Sequence, residues 1–189
     1  MTDENILDLS NTTERDAAIQ DGRYLLGEKA VEYIQNQMPL LPSSPAAVQD
    51  VVRQPLTEAQ KFVIREEGLV TVPYYATKKE KAKGTITEGV GLVDTFRPKP
   101  GENFAEAFLR AFDAKEDRAR ALVPKYDTFD PELQTQIMSG VYRGDLSGSP
   151  NTLEYIKQND WDMAAKEFLD HDEYRNPKTS KAIKERMER

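Results

Sequence analysis

The side chains of this chain that can move protons or hold a substrate are carboxylates and hydroxyls. There is no cysteine, and His171 is the single histidine. That removes thiolate nucleophiles, disulfides and zinc–thiolate sites, and leaves too few imidazoles for a multi-histidine metal site or a standard serine triad. Among the carboxylates, Glu67 is set apart by its position. Residues 56–70 read Leu-Thr-Glu-Ala-Gln-Lys-Phe-Val-Ile-Arg-Glu-Glu-Gly-Leu-Val. Thr57 and Gln60 have capping-box spacing, Ala59, Phe62 and Val63 form an apolar face, and Gly68 is a C-terminal stop signal. The pattern predicts a short helix with Glu67 in its last turn. The negative end of the helix dipole disfavours a carboxylate there, so its pKa is expected to rise, as a general acid at neutral pH requires. Surface helices also often end in glutamate, so the position alone does not separate an acid from a solvated charge.

Other elements must position this carboxylate. Leu69 to Tyr75 is β-prone, Lys78 to Gly84 reads as a charged turn, and Thr85 to Val93 reads as a second strand carrying Gly89-x-Gly91. Farther on, Asp130 to Tyr142 predicts an apolar helix after Phe-Asp-Pro, and Asp145 to Gly148 a glycine-containing turn. Ser149-Pro-Asn-Thr-Leu153 opens another helix, followed by Lys157-Gln-Asn-Asp-Trp161-Asp-Met-Ala-Ala165. Ahead of all this, Thr13 reads as an N-cap. Ala17, Tyr24, Val31 and Met38 recur every seven residues, predicting one amphipathic helix over about 14–37, weakened by Gly22 and Gly27. Pro39-Leu-Leu-Pro-Ser-Ser-Pro45 then forms a linker. Such a helix cannot bury its own apolar face; it packs on the following domain or docks on another protein.

With 189 residues, 38% hydrophobic and 31% charged, and a mean hydropathy of −0.70, the chain has enough apolar residues for one modest core. Residues 1–55 carry nine acidic against four basic residues, while the remainder is nearly balanced and Arg175 to Arg189 is basic. This change places a boundary near residue 55: an N-terminal arm over 1–55 and a main domain over 56–189. A net charge of −7 argues against general affinity for nucleic acid. No apolar run approaches the roughly 18 residues of a membrane span, and the acidic start is not that of a secretory signal.

The order of motifs in the main domain resembles the phage-type lysozymes, the family of the T-even phage lysozyme. Glu67-Gly68-Leu69, Tyr74, Thr87, Gly89 and Gly91 match the family's helix, Glu-Gly, Tyr and Thr-x-Gly-x-Gly at nearly its spacing, with a turn several residues longer. The Asn151-Thr-Leu and Trp161-Asp-x-Ala-Ala runs, and Tyr174-Arg-Asn-Pro177 before the last helix, match its C-terminal half. The resemblance covers about residues 56–186. It implies an α+β, mainly α fold, with a small sheet subdomain, a helical C-terminal lobe and here a preceding arm. It also implies hydrolysis of the β-1,4 bond between N-acetylmuramic acid and N-acetylglucosamine of peptidoglycan, without a cofactor or metal. Glu67 would be the acid and Thr87 would hold water, while Tyr74, Val93, Val141 or Tyr142, and Thr152 would fall near the glycan.

The pattern also departs from the family. Ala76 stands at the position of its second carboxylate, Leu92 at its histidine, and Thr179 at the arginine that pairs with the acid. Glu80 replaces the missing carboxylate only if the longer turn folds inward; otherwise it is a solvated charge. Glu88 follows Thr87 directly, so on a strand it faces the other way. Trp161 reads as core before sugar platform, Tyr74 and Tyr75 as strand packing or sugar stacking, and His171 as part of a solvated acidic face. The lysines of 78–83 and the basic tail either meet an anionic cell-wall polymer or are solvated. Three functions remain open: an unrelated helical interaction module, a phage muramidase of reduced rate, acting at the cell wall from the virion or the infected host, and an inactive lysozyme-like component of a phage particle. In the last, a virion protein holds the arm.

Overall fold

The computed structural model describes residues 6–41, 52–170 and 172–176. His171, Thr179, the basic tail from Pro177 and the linker from Pro42 lie outside the described residues. The fold is α+β and mainly helical, with a small mixed sheet. The chain divides into two units, Met1–Asp113 and Ala114–Arg189. The boundary read near residue 55 falls inside the first of these.

In the first unit, β1 (Leu7–Asp8) is followed by α1 (Thr12–Gln20), β2 (Tyr24–Leu25) and α2 (Glu28–Gln37). A short ribbon of β3 (Leu40–Leu41) and β4 (Val52–Arg53) precedes α3 (Glu58–Glu67). The expected single helix over 14–37 is therefore two helices. Asn11, not Thr13, caps the first, its side chain accepting from the Thr13 N–H at 3.0 Å. Gly22, with φ +78°, ends α1, and Tyr24, which fits the heptad-like spacing, lies in a strand instead. In α2, Ala30, Val31 and Ile34 are buried, and this helix packs against α3.

Helix α3 carries the expected capping box: the Gln60 N–H donates to Thr57 Oγ1 at 3.2 Å and the Thr57 N–H to Gln60 Oε1 at 2.9 Å. It leads into β5 (Leu69–Tyr75), the central strand of the sheet. One edge of β5 holds both N-terminal strands: β1 in parallel, with Leu7 opposite Tyr74, and β2 antiparallel, with Tyr24 opposite Val70. Its other edge pairs with β6 (Thr87–Gly89), which pairs in turn with β7 (Leu92–Val93). Leu7, Ala18, Val70 and Tyr74 form a buried cluster, with Leu9, Tyr24, Val72 and Ala76 packed against it. Burial of each large apolar side chain of this kind stabilises by roughly 1.5–3 kcal/mol.

The expected charged turn between β5 and β6 is a helix, α4 (Lys78–Lys83). Thr77 and Glu80 form a second capping box, which stabilises a short helix that its own length would not. The expected strand over 85–93 is likewise two strands, joined by a turn at Val90-Gly91.

Helix α5 (Phe104–Leu122) runs across the division between the units. In the second unit follow α6 (Pro131–Arg143), α7 (Pro150–Gln158), α8 (Trp161–Leu169) and the single turn α9 (Asp172–Arg175). Asp130 caps α6, with Pro131 in its first turn. Trp161 meets Phe129 edge-on, with ring centroids 5.3 Å apart. Among the described residues no helix is long and apolar enough to cross a membrane.

The N-terminal strand is tied to the inserted helix by charge. Lys81 Nζ donates to Asp8 Oδ2 at 2.7 Å, and Ser10 Oγ to Asp8 Oδ1 at 2.5 Å. The Lys81 ammonium, and then the Ser10 hydroxyl, lower the Asp8 pKa from an ordinary 3.8 to about 2. A carboxyl depressed in the folded state stabilises fully above its unfolded value and loses that contribution as the pH falls towards the folded one. The urea midpoint of the wild type is therefore expected to fall between about pH 4 and pH 2, with a shallower fall in Asp8→Asn measured alongside it.

Candidate functional site

The site begins at the end of α3. Gly68 has φ +70°, and a Cβ there would meet Tyr24 Cε2 at 2.7 Å and the Leu25 carbonyl oxygen at 2.9 Å. Only glycine takes this backbone conformation with β2 so close. The helix stops here, and Glu67 is left half-buried in its last turn. Gly91, φ +65°, lies in the β6–β7 turn, and a Cβ built on it would be 3.5 Å from Glu67 Oε2. The carboxylate thus rests against the backbone of the glycine turn.

Strand register brings three more of the sequence-derived residues into one row. Tyr74 lies opposite Thr87 across β5 and β6, and Thr87 opposite Val93 across β6 and β7. Directly opposed residues in antiparallel strands share a face, so Tyr74, Thr87 and Val93 stand side by side. Tyr74 is buried. Desolvation, and then the neighbouring Tyr24, Glu67 and Glu80, push its phenol well above the ordinary value, against a hydrogen bond from the Gly91 backbone. The phenol therefore stays protonated throughout the neutral range and can donate. Thr87 is only 2% exposed, and its Oγ1 has no hydrogen-bond partner among the described residues. A hydroxyl buried in that way can receive a water or a ligand hydroxyl.

The remaining carboxylates of the hairpin are engaged. Ala76, at the position where the resemblance expects the second carboxylate, packs against the Tyr74 cluster. Glu80 is not a solvated turn charge: its Oε2 accepts from the Ala76 N–H at 3.0 Å and the Thr77 N–H at 3.1 Å. Glu88 is ion-paired with Arg97, whose Nε donates to Oε1 at 3.0 Å. Leu92, at the expected histidine position, is buried.

Neither a protein-family model nor a curated protein matches the chain. What it can do chemically has to be read from the geometry. Among the described residues no three metal-ligating side chains cluster.

The second unit carries the other residues drawn from the resemblance. Val141 and Tyr142 are buried in the last turns of α6. Thr152 is buried in the first turn of α7, and its Oγ1 also lacks a hydrogen-bond partner among the described residues. One residue before it, Asn151 Nδ2 donates to Glu167 Oε1 at 2.8 Å. Sequence reasoning missed Tyr24 at the Gly68 junction, because its seven-residue spacing from Ala17 and Val31 placed it in a helix. It also missed the Glu80 capping box, although Thr77-x-x-Glu80 has the spacing recognised at Thr57-x-x-Gln60.

Two outcomes are expected. Thr87→Val removes an unpartnered buried hydroxyl while nearly preserving volume, so it should stabilise by about 1 kcal/mol, read as a higher urea midpoint. Gly68→Ala forces a methyl against Tyr24 and the Leu25 carbonyl at a positive φ, so it should destabilise by at least ~2 kcal/mol in the same titration.

Proposed function

We propose that the chain is a phage lysozyme-like protein that engages peptidoglycan glycan strands. In this reading it cleaves the β-1,4 bond between N-acetylmuramic acid and N-acetylglucosamine with Glu67 as the acid. The observation that carries this reading is the unpartnered buried hydroxyl of Thr87 beside Tyr74. In the first unit Thr87 is the buried side chain whose polar atom lacks a hydrogen-bond partner among the described residues, and the family resemblance assigns it to hold water at the cleavage site. Leaving a buried hydroxyl unsatisfied costs roughly 1–3 kcal/mol, which a ligand hydroxyl or a held water would recover. Glu67 beside the glycine turn, with the protonated phenol of Tyr74 and the Thr87 row next to it, suits proton delivery to a glycosidic oxygen.

The chemistry follows from these residues. Glu67 protonates the leaving oxygen as the bond to the muramic acid C1 lengthens, and a water held near Thr87 attacks that carbon. Ala76 supplies no base for the water, so the rate is low; a missing general base commonly removes a factor of about 10²–10⁴.

Ala76 favours a second reading, a lysozyme-like component of a phage virion that binds glycan or assembles without cleaving it. The N-terminal segment would then serve a virion partner as well as the sheet. A peptidoglycan clearing assay, run with sedimentation of the protein on insoluble peptidoglycan, separates the two. Slow clearing by the wild type that Glu67→Gln abolishes, with sedimentation retained, supports the muramidase. Sedimentation without clearing selects the binding component, and absence of both removes the peptidoglycan reading altogether.

A further inference from the structure

The resemblance covers about residues 56–186, and every residue it assigns to the site lies within that stretch. The structure nevertheless places a side chain of the N-terminal segment against the end of the helix that carries Glu67. Tyr24 lies in β2, opposite Val70 near the start of β5. Its ring carbon Cε2 is 2.7 Å from where a Cβ on Gly68 would stand. The ring thus occupies the space a side chain would need at the residue that follows Glu67. The same side chain packs against the buried cluster of Leu7, Ala18, Val70 and Tyr74. It is half-buried, and it is a nearer electrostatic neighbour of the Tyr74 phenol than Glu67 is. Glu67 is therefore confined on two sides. Gly91 backs its carboxylate, and Tyr24 backs the glycine at which its helix ends.

We propose that Tyr24 is a positioning residue for Glu67: its ring, resting on Gly68, holds the last turn of α3 where the carboxyl can reach the glycosidic oxygen. This rests on the reading of Glu67 as the acid. Glycine has the widest backbone freedom of any residue, so the φ of +70° at Gly68 is kept by what packs on it and not by a side chain of its own. Proton delivery depends steeply on placement, and a displacement of about 1 Å can cost on the order of 10²-fold in rate. Glycan binding draws on a surface much wider than this one junction, so a displaced acid lowers kcat and leaves KM as it was. The contact is made by ring carbon, so the ring and not the hydroxyl carries the effect.

Tyr24→Leu removes the ring, and Tyr24→Phe keeps it without the hydroxyl. Leu9→Ala serves as the packing control: Leu9 borders the same cluster but at the far end of β5, where its N–H meets the Tyr75 carbonyl. These three, Glu67→Gln and the wild type, all full-length, are assayed for release of reducing ends from peptidoglycan. The assay is run well below every thermal midpoint, where a loss of stability alone leaves the folded fraction and the turnover unchanged. The proposal expects Tyr24→Leu to lose about 10- to 10²-fold in kcat at unchanged KM, with Tyr24→Phe and Leu9→Ala turning over as the wild type does. Wild-type turnover in Tyr24→Leu overturns it, as does an equal loss in Tyr24→Phe or in Leu9→Ala; in each case the abolished activity of Glu67→Gln leaves Glu67 as the acid. Activity that survives Glu67→Gln overturns the acid reading and the proposal with it. A wild type that releases no ends overturns both as well.

Discussion

The close approach of the N-terminal segment to Gly68 is the constraint on which the rest of the first unit depends. A side chain at that position would collide with the backbone of β2, so the contact requires glycine, and glycine with a positive φ ends α3 there. The same turn therefore fixes where the helix stops, where β5 starts, and where Glu67 is left. Shifting the helix end by one residue would rotate Glu67 by about 100° around the axis, away from the glycine turn. The segment before residue 41 is thus not a separate appendage. It supplies one whole edge of β5, a contact to the helix terminus and an ion pair between Arg65 and Glu28.

On the opposite edge, the hairpin is organised around alternation. Thr87 and Glu88 are neighbours in sequence and opposites in environment. Thr87 is buried in a row with Tyr74 and Val93, whereas Glu88 is held by Arg97. A single strand therefore places an uncharged hydroxyl on the Tyr74 side and disposes of a charge on the other. Helix α4 is tied down on two sides, through the Asp8–Lys81 pair to β1 and through Glu80 to the end of β5. A helix of six residues is too short to persist alone, so its order comes from these polar ties and its capping box rather than from buried side chains; none of its residues is buried.

Much of this was legible in the residues, and the failures have physical causes. Helices α3 and α6 were readable because each has a side-chain cap followed by an apolar stripe: Thr57 with Gln60, and Asp130 with Pro131. The N-terminal region misled because β2 is two residues long and its Tyr24 sits at a helical spacing from Ala17 and Val31. No local pattern reveals that Tyr24 and Leu25 pair with β5 more than forty residues later. The charged run at 78–83 reads as a turn on composition, yet Thr77 and Glu80 held the signal for a helix start. In the candidate site, Tyr74, Thr87 and Val93 could be named from motif order, but their alignment in one row depends on strand register and on an irregularity between Val70 and Tyr74, which motif order does not encode.

The two unpartnered threonines carry a cost to the fold that no motif shows. Valine has nearly the shape of threonine, and a site serving only the core would gain by exchanging a buried hydroxyl for a methyl. Thr87 lies between Tyr74 and Val93 across the strands, and Thr152 lies buried in the first turn of α7. Strain is no alternative account, since neither residue has a positive φ. Both hydroxyls lack a hydrogen-bond partner within the described residues, so nothing there offsets their desolvation.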